Sequence, residues 1–289
     1  MDSSCAQQRP CAHKSASVLA NDQLAERTWR LRLHCPEVAA LAQPGQFFMV
    51  RIAGRTDPLL GRPFALYDTV LDGQGGLVGL DIVHLVVGKM TTLLSGLKPG
   101  DPVEIWGPLG MRFPAVPDHV ARVTLVAGGI GQTPFLAYSR ELLGGRRFAG
   151  KSAQKIVDKV ELVYGARRES LLAGLDAFVQ AGARVLPCTE DGSLGLKGRV
   201  TDGLDTLEKP EWIVACGPEP MLHAVARWAR ERGVPCQVSL ETPMACGLGI
   251  CFSCVVKVAS SEQASGWDYQ RVCIDGPTFD AAGLIDLQK

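Results

Sequence analysis

The stretch Val123-Thr-Leu-Val-Ala-Gly-Gly-Ile-Gly-Gln-Thr-Pro134 decides the fold of the second half of the chain. Its first five residues read as a buried strand. Gly128, Gly129 and Gly131 then make a tight turn, and residues 133–143 have helical character. Glycines between a strand and a helix let backbone approach a pyrophosphate, whose charge sits favourably on a helix N-terminus. The pattern is not the G-x-G-x-x-G fingerprint, and an ordinary strand–helix turn accounts for it equally well. Further strand candidates recur at residues 160–164, 183–189, 212–216 and 234–240, with helical stretches between some of them, notably 220–232. That alternation predicts parallel βαβ units. A second loop, Cys216-Gly217-Pro218-Glu219-Pro220-Met221, also follows a strand, and open α/β sheets bind ligands at that edge. Two such loops in one domain point to a dinucleotide site.

Upstream the texture is different. Arg27-Thr-Trp-Arg-Leu-Arg-Leu-His34 alternates polar and apolar residues, the period of a half-buried strand. Pro44-Gly45 marks a turn before Gln46-Phe-Phe-Met-Val-Arg51, and residues 77–87 and 103–106 add two more strands. Closely spaced short strands predict a small antiparallel barrel. Within it, the Arg of Arg62-Pro63-Phe64-Ala65-Leu66 can grip a phosphate bidentately while the aromatic packs on a ring system. The plainer reading is a turn and a core aromatic. Gly88-Lys89-Met90-Thr91-Thr92-Leu93 opens a short helix, either facing the same phosphates or simply capped by threonine. Residues 144–158, with Arg146, Arg147, Lys151 and Lys155, read as a basic surface excursion.

Downstream stands Cys246-Gly-Leu-Gly-Ile-Cys251-Phe-Ser-Cys254, followed by Cys273. C-x4-C-x2-C with a later cysteine is the plant-type ligand spacing of a [2Fe–2S] cluster. Four thiolates without metal could not be buried except at large desolvation cost. Gly247 and Gly249 allow the loop to fold tightly. Structural zinc favours paired C-x2-C knuckles, of which there is one here, and disulfides or plain core thiols would also account for these cysteines. A cluster moves single electrons and so needs a partner centre.

Composition narrows the classes. A chain of 289 residues suits two domains or slightly more, and an apolar fraction of 46% supplies a core. Thirty basic and thirty acidic residues leave no net charge, which argues against general nucleic-acid affinity. No run of 18 apolar residues is present, so no membrane span is expected. The start, Met1-Asp-Ser-Ser-Cys5, does not read as a secretory signal. Ten cysteines in a chain this long fit a reducing cytoplasm better than a secreted disulfide scaffold. Cys5 and Cys11 sit in a polar tail, and Cys188 and Cys236 read as core residues.

Taken in order, Arg62-Pro63-Phe64, Gly88 to Thr91, Gly128-Gly129-Ile130-Gly131, Cys216-Gly217-Pro218 and a C-terminal cysteine module resemble the ferredoxin-reductase superfamily from about Ser17 onward. Glu241-Thr-Pro-Met-Ala-Cys246-Gly and Cys273-Ile-Asp-Gly-Pro-Thr-Phe279 make the chain similar to one family in particular, the electron-transfer subunits of type B (NAD-dependent) dihydroorotate dehydrogenase. The resemblance implies a β plus α/β fold. A flexible tail (1–16) would precede an antiparallel FAD-binding barrel (17–118), a parallel-sheet NAD-binding domain (119–239) and a [2Fe–2S] module (240–289).

The resemblance also implies site residues. FAD would meet Arg62, Pro63, Phe64, Ala65, Val83, His84, Leu85, Met90 and Thr91. The NAD side would use Gly128, Gly129, Gly131, Gly217, Pro218 and Cys216, the last either near the nicotinamide or an inert buried thiol. Cys246, Cys251, Cys254 and Cys273 would be the cluster ligands. Three positions depart from the family pattern. Ala65 stands where a Ser or Thr hydroxyl commonly reaches flavin N5, Met90 where Gly is usual, and Leu85 where a basic residue is common. Read from the residues alone, Thr189-Glu190-Asp191-Gly192-Ser193 follows a strand and places carboxylates where a ribose can lie, which favours NAD over NADP; acid on a surface turn accounts for them about equally well.

The implied route runs from dihydroorotate to FMN on a partner subunit, then to the cluster, to FAD and to NAD+, in de novo pyrimidine (UMP) synthesis. The implied assembly is a cytoplasmic two-plus-two heterotetramer that binds neither nucleic acid nor membrane. A small subunit of an NADH-dependent ferredoxin:NADP oxidoreductase or sulfide dehydrogenase shares the layout. A zinc-stapled interaction module on a barrel that has lost its flavin is the non-enzymatic reading.

Overall fold

The computed structural model describes residues 10–288, so Cys5 lies outside the described residues. The first sheet contains β1 (Ala12–Ala25), β2 (Thr28–His34), β3 (Phe47–Ile52), β4 (Arg62–Ala65), β5 (Asp68–Leu71), β6 (Leu77–Leu85) and β7 (Pro102–Leu109). Two short helices, α1 (Pro36–Ala39) and α2 (Lys89–Ser95), interrupt it. The strands run antiparallel in the order β4-β3-β7-β1-β2-β6-β5. The two edge strands do not pair directly; the link between them closes the gap. Leu66 N–H donates to Gln46 O on one side and Tyr67 N–H to Asp81 O on the other, each at 3.0 Å. The expected barrel is therefore a curled sheet shut by a two-residue bridge. Leu31, Leu33, Phe48, Val50, Leu80 and Ile82 fill it.

β1 starts five residues before the expected domain boundary at Ser17, and Ala12 to Ser17 pair with β7 from Gly107 to Pro102. Residues 12–16, expected in a flexible tail, are sheet. His13, Lys14 and Ser15 are not buried, so no apolar alternation announces them, and main-chain pairing alone makes them a strand.

The second sheet comprises β8 (Arg122–Gly128), β9 (Lys159–Ala166), β10 (Arg184–Thr189), β11 (Leu196–Lys197), β12 (Trp212–Cys216) and β13 (Cys236–Ser239). Its helices are α3 (Phe135–Leu142), α4 (Leu175–Gln180), α5 (Val200–Asp205) and α6 (Glu219–Glu231). These strands are parallel, in the order β11-β10-β9-β8-β12-β13. Every residue of β8 is buried, as a central parallel strand covered on both faces must be. Strand order reverses between β8 and β12, and the loops leaving that point open a crevice at the carboxyl edge.

A hairpin of β14 (Val255–Ala259) and β15 (Trp267–Arg271) follows the cysteine loop, and β16 (Thr278–Asp280) then pairs antiparallel with β13. Phe279, Ala281, Leu284 and Leu287 are buried in the same core as Leu222 and Val225 of α6. The end of the expected 240–289 module thus returns to the α/β sheet. A three-residue strand carries no period from which to read this.

Residues 144–158 are at the surface as expected, with 151–156 exposed, but the segment is also strapped to the barrel through Arg146 and Phe148. Phe148 is buried in the barrel core. Arg146 donates to Thr69 O and lies 3.4 Å from the Asp68 carboxylate, which Arg140 of α3 meets at 3.1 Å. Burial pushes the Asp68 pKa up, and the two guanidinium groups pull against that. The orphan Ala137 N–H in the first turn of α3 donates to Tyr67 O at 3.0 Å, so the barrel caps that helix. Asp68→Ala would leave two partly buried cations without their carboxylate, at a cost of about 3 kcal/mol. Arg146→Ala should cost less, because Arg140 still neutralises Asp68. Urea unfolding followed by circular dichroism checks this order, and equal losses would contradict it.

Candidate functional site

The barrel, the α/β edge and the cysteine loop share one cleft of about 960 Å³. One wall holds all nine barrel residues expected from the sequence: Arg62, Pro63, Phe64, Ala65, Val83, His84, Leu85, Met90 and Thr91. Ile130, Thr133, Pro134 and Cys216 form the facing wall, and residues 239–245 with Ser253 form the third.

The barrel wall carries most of the recognition chemistry. β4 presents Arg62, whose Nη1 donates to the carbonyls of Leu60 (2.9 Å) and Gly61 (3.1 Å). β6 presents His84, almost fully buried, with both ring nitrogens unpartnered and its ring 6.0 Å from Phe64. Burial holds the imidazole down to about 4, so it is neutral, with one N–H to give and one nitrogen to accept. Thr242 adds a buried hydroxyl without a partner. Buried polar groups normally find partners, so these orphans mark where a polar ligand belongs.

Other expected contacts have different jobs. The Thr91 hydroxyl accepts from Val87 N–H (3.0 Å) and Gly88 N–H (3.1 Å) and donates to Gly88 O (3.0 Å), which makes it the brace of the loop entering α2. Met90 packs into the barrel core as well as the cleft. No base stands at Leu85, but Lys89 lines the same cleft, so that wall carries two cations, Arg62 and Lys89. In the sequence Lys89 is only one residue of the turn. Its solvent-facing place opposite Asp57, with which it pairs, has no sequence signal.

Gly128, Gly129, Gly131, Gly217 and Pro218 do not line this cleft. Gly131 has a packing reason: a Cβ there would lie 2.2 Å from Cys216 O, so only glycine lets the β8 and β12 loops touch. Gly128 packs in the same way against Pro218 and Met221. Cys216 is buried, and its thiol pKa is pushed well up, first by burial and then by the Glu241 charge, so it is neutral. Glu241 faces the open cleft, yet it is surrounded densely enough on the protein side that desolvation raises its carboxyl. At the β10 end, Asp191 is spent on its own turn, accepting from Ser193 N–H and Oγ–H at 2.9 and 2.6 Å. Glu190 beside it is exposed and makes no such side-chain bond.

The four cysteines are all free thiols, gathered by the loop and the strand end after β15. They fall into two pairs, Cys251 against Cys246 and Cys273 against Cys254. Cys273 also feels Cys246, so the two pairs form one neighbourhood. Two pairs suit a two-iron group, with two thiolates for each iron. Leu248 N–H donates to Cys246 Sγ at 3.3 Å, and Arg271 Nη1 anchors Gly249 O at 3.2 Å. Bonds from Ser253 and then Cys246 hold the Cys251 thiol down to about 6, whereas burial and Cys254 push Cys273 up to about 12.

His84 gives a pH test. Its folded pKa of about 4 lies below its ordinary 6.5. As pH falls from 6.5 toward 4, the unfolded chain takes a proton that the folded chain refuses, so stability drops across that window and levels off below it. A shift of this size is worth about 3 kcal/mol. His84→Gln should lose that part of the acid slope in urea unfolding of the cofactor-free chain. An unchanged slope would show that the ring does not titrate this way.

Comparison with known proteins agrees with this geometry. Residues 241–285 match the family model for the iron–sulfur cluster binding domain of dihydroorotate dehydrogenase B. Residues 15–113 match the oxidoreductase FAD-binding domain. The electron transfer subunit of dihydroorotate dehydrogenase B (NAD(+)) from Desulforamulus reducens is 36% identical over 93% of this chain and 97% of its own. The Geobacillus kaustophilus subunit is 38% identical over the same shares. Among solved structures, the NADH-dependent reduced ferredoxin-NADP oxidoreductase aligns with a TM-score of 0.76 at 30% identity, covering 93% of this chain and 89% of that one. Amycolatopsis cytochrome P450 reductase GcoB, at 24% identity and a TM-score of 0.60, shares the fold over 78% of this chain and 67% of its own. With the FAD-binding barrel, the shared cleft and the paired cysteines in one polypeptide, this chain belongs to the family of electron transfer subunits of NAD-linked dihydroorotate dehydrogenase B.

Proposed function

We propose that this subunit carries electrons from an FMN-containing, dihydroorotate-oxidising partner to NAD+, in a cytoplasmic two-plus-two assembly serving UMP synthesis. The observation that carries the reading is the shared wall: Ser253 lines the cofactor cleft and also touches the sulfur of Cys251. A cleft for a flavin and a site for a one-electron centre are thus contiguous in one chain. FAD, when bound, supplies exchange of a hydride with nicotinamide and of single electrons with an iron–sulfur centre. Arg62 and Lys89 would neutralise its phosphates, Phe64 would pack on its rings, and His84 and Thr242 would offer it hydrogen bonds. Ala65 presents no hydroxyl, so the N5 edge depends on other groups. Cys216, neutral and buried beside the β8 loop, would border the nicotinamide end without charge. No side chain need act as acid or base, and the protein's part is orientation.

Cys246, Cys251, Cys254 and Cys273 would hold the cluster. Around them Leu248, Ile250 and Phe252 are exposed, Ile250 at 76%, a patch suited to an apolar partner surface. Among the described residues, no helix is long and apolar enough to cross a membrane. The ferredoxin-NADP oxidoreductase relation favours a second reading, a small subunit of that kind of complex. The higher identity to dihydroorotate dehydrogenase B subunits along nearly the full length supports the first.

Co-expression with a dihydroorotate-oxidising flavoprotein subunit tests the two. Dihydroorotate-dependent NAD+ reduction by the complex is expected, with none from this chain alone. Cys251→Ser should abolish it while leaving NADH-dependent reduction of artificial acceptors. Retained coupling without a cluster would refute the route. Glu190 should disfavour the 2′-phosphate of NADP: repulsion of about 1 kcal/mol or more predicts that Glu190→Gln improves kcat/KM for NADPH relative to NADH at least about fivefold. An unchanged ratio in steady-state assays would remove Glu190 from the specificity site.

A further inference from the structure

The Ser253 hydroxyl oxygen lies 3.2 Å from Cys251 Sγ and 3.2 Å from Pro243 O, and it accepts from Ala245 N–H at 3.3 Å. Pro243, Ala245 and Ser253 all line the cofactor cleft. The hydroxyl thus has one proton and two acceptors within reach. Hydrogen bonds to an ionised acceptor are roughly twice as strong as neutral ones. With Cys251 ionised, the proton goes to sulfur, while the Ala245 amide holds the oxygen in place. Among the described residues this is the one side-chain hydroxyl bonded to any of the four sulfurs. Cys246 receives a backbone amide from Leu248, and Cys273 one from Gly249.

We propose that Ser253 is a positioning residue whose O–H···S bond to Cys251 raises the one-electron midpoint potential of the cluster and ties that ligand to the wall of the flavin cleft. The inference rests on the reading of the four cysteines as cluster ligands. Reduction adds one negative charge, spread partly over the thiolates. A donor aimed at a thiolate therefore stabilises the reduced form more than the oxidised form. Because Pro243, Ala245 and Ser253 belong to both sites, the same bond fixes where the Cys251 sulfur sits relative to the cleft.

The test is redox titration of the purified full-length chain, with the cluster followed by electron paramagnetic resonance and the flavin by absorption. Ser253→Ala should lower the cluster potential and leave the flavin potential where it was, and Ser253→Thr, which keeps the hydroxyl, should restore it. An alanine variant with an unchanged cluster potential would overturn the inference, and so would a parallel shift of both centres, which marks general loosening. If the alanine chain holds no cluster, the threonine chain decides. A cluster at the wild-type potential shows that the hydroxyl is the needed group, and no cluster shows a merely steric role and overturns the inference. Wild-type chain that binds no iron after anaerobic reconstitution would instead sink the ligand assignment, a failure distinct from any of these.

Discussion

The segment from Ser239 to Ala245 has to satisfy two sites at once, and the arrangement of the whole molecule follows from that. It leaves β13 at the carboxyl edge of the parallel sheet, where Leu240 N–H donates to Pro277 O at 2.9 Å. It then forms one wall of the cleft and delivers Cys246 to the barrel, where Trp106 Nε1–H donates to Cys246 O at 3.2 Å. Gly247 comes next, with φ of +74° and so little room that a Cβ would lie 2.8 Å from Met49. Only glycine allows the loop to rest there. The cysteines are therefore held by the sheet through one end of the segment and by the barrel through the other. Relative motion of the two domains would strain that segment, which gives the Asp68, Arg140 and Arg146 cluster and the strap through Phe148 their importance for the site.

Much of this architecture is legible in the sequence. β2 coincides with an alternating stretch, β3, β6 and β7 with short strand-like stretches set off by turns, and β8, β9, β10, β12 and β13 with apolar runs, because side-chain burial sets the pattern. What stays hidden is held by main-chain pairing or by single side chains. The polar first turns of β1, the two-residue β11 and the three-residue β16 have no period to detect. Residues 144–158 read as a solvated charge run because four basic residues outweigh one Phe148, and nothing in the sequence says that Arg146 has a buried acceptor. In the site, the barrel contacts and the four cysteines are all nameable from spacing and resemblance. Glu241 and Thr242 stand out only as part of a motif, and Ser253 only as filler between Phe252 and Cys254. Their roles depend on a turn that brings residue 253 back to residues 243 and 245, a contact that no local rule encodes.

The departures from the family pattern read differently in three dimensions. The hydroxyl missing at Ala65 and the base missing at Leu85 each have a neighbour of similar chemistry in the same cleft: Thr242 and His84 for the first, Lys89 for the second. Met90 in place of glycine is absorbed because its side chain runs into the barrel core, away from the loop that Thr91 braces. None of the three substitutions removes the cavity, the cations or the polar edge that a flavin requires. The zinc-stapled, flavin-free reading loses its support at this point.

Cys251 and Cys273 differ in how readily they ionise, and the difference bears on how the loop is held together. Cys251 is at the surface and already inclined to the thiolate, whereas Cys273 is buried against Cys254 and resists ionisation. Apoprotein at neutral pH can keep Cys273 protonated and avoid placing a negative charge in a poorly hydrated site. A bound metal would displace that proton, and its charge would then replace solvent as the stabiliser of the sulfur. Cys251 offers the first anchoring charge, and Cys273 closes behind it. The exposed loop can thus be reached by an incoming group, while the buried pair makes the finished site hard to leave. A one-electron relay needs both properties, an edge open to its redox partner and an anchor that does not come loose.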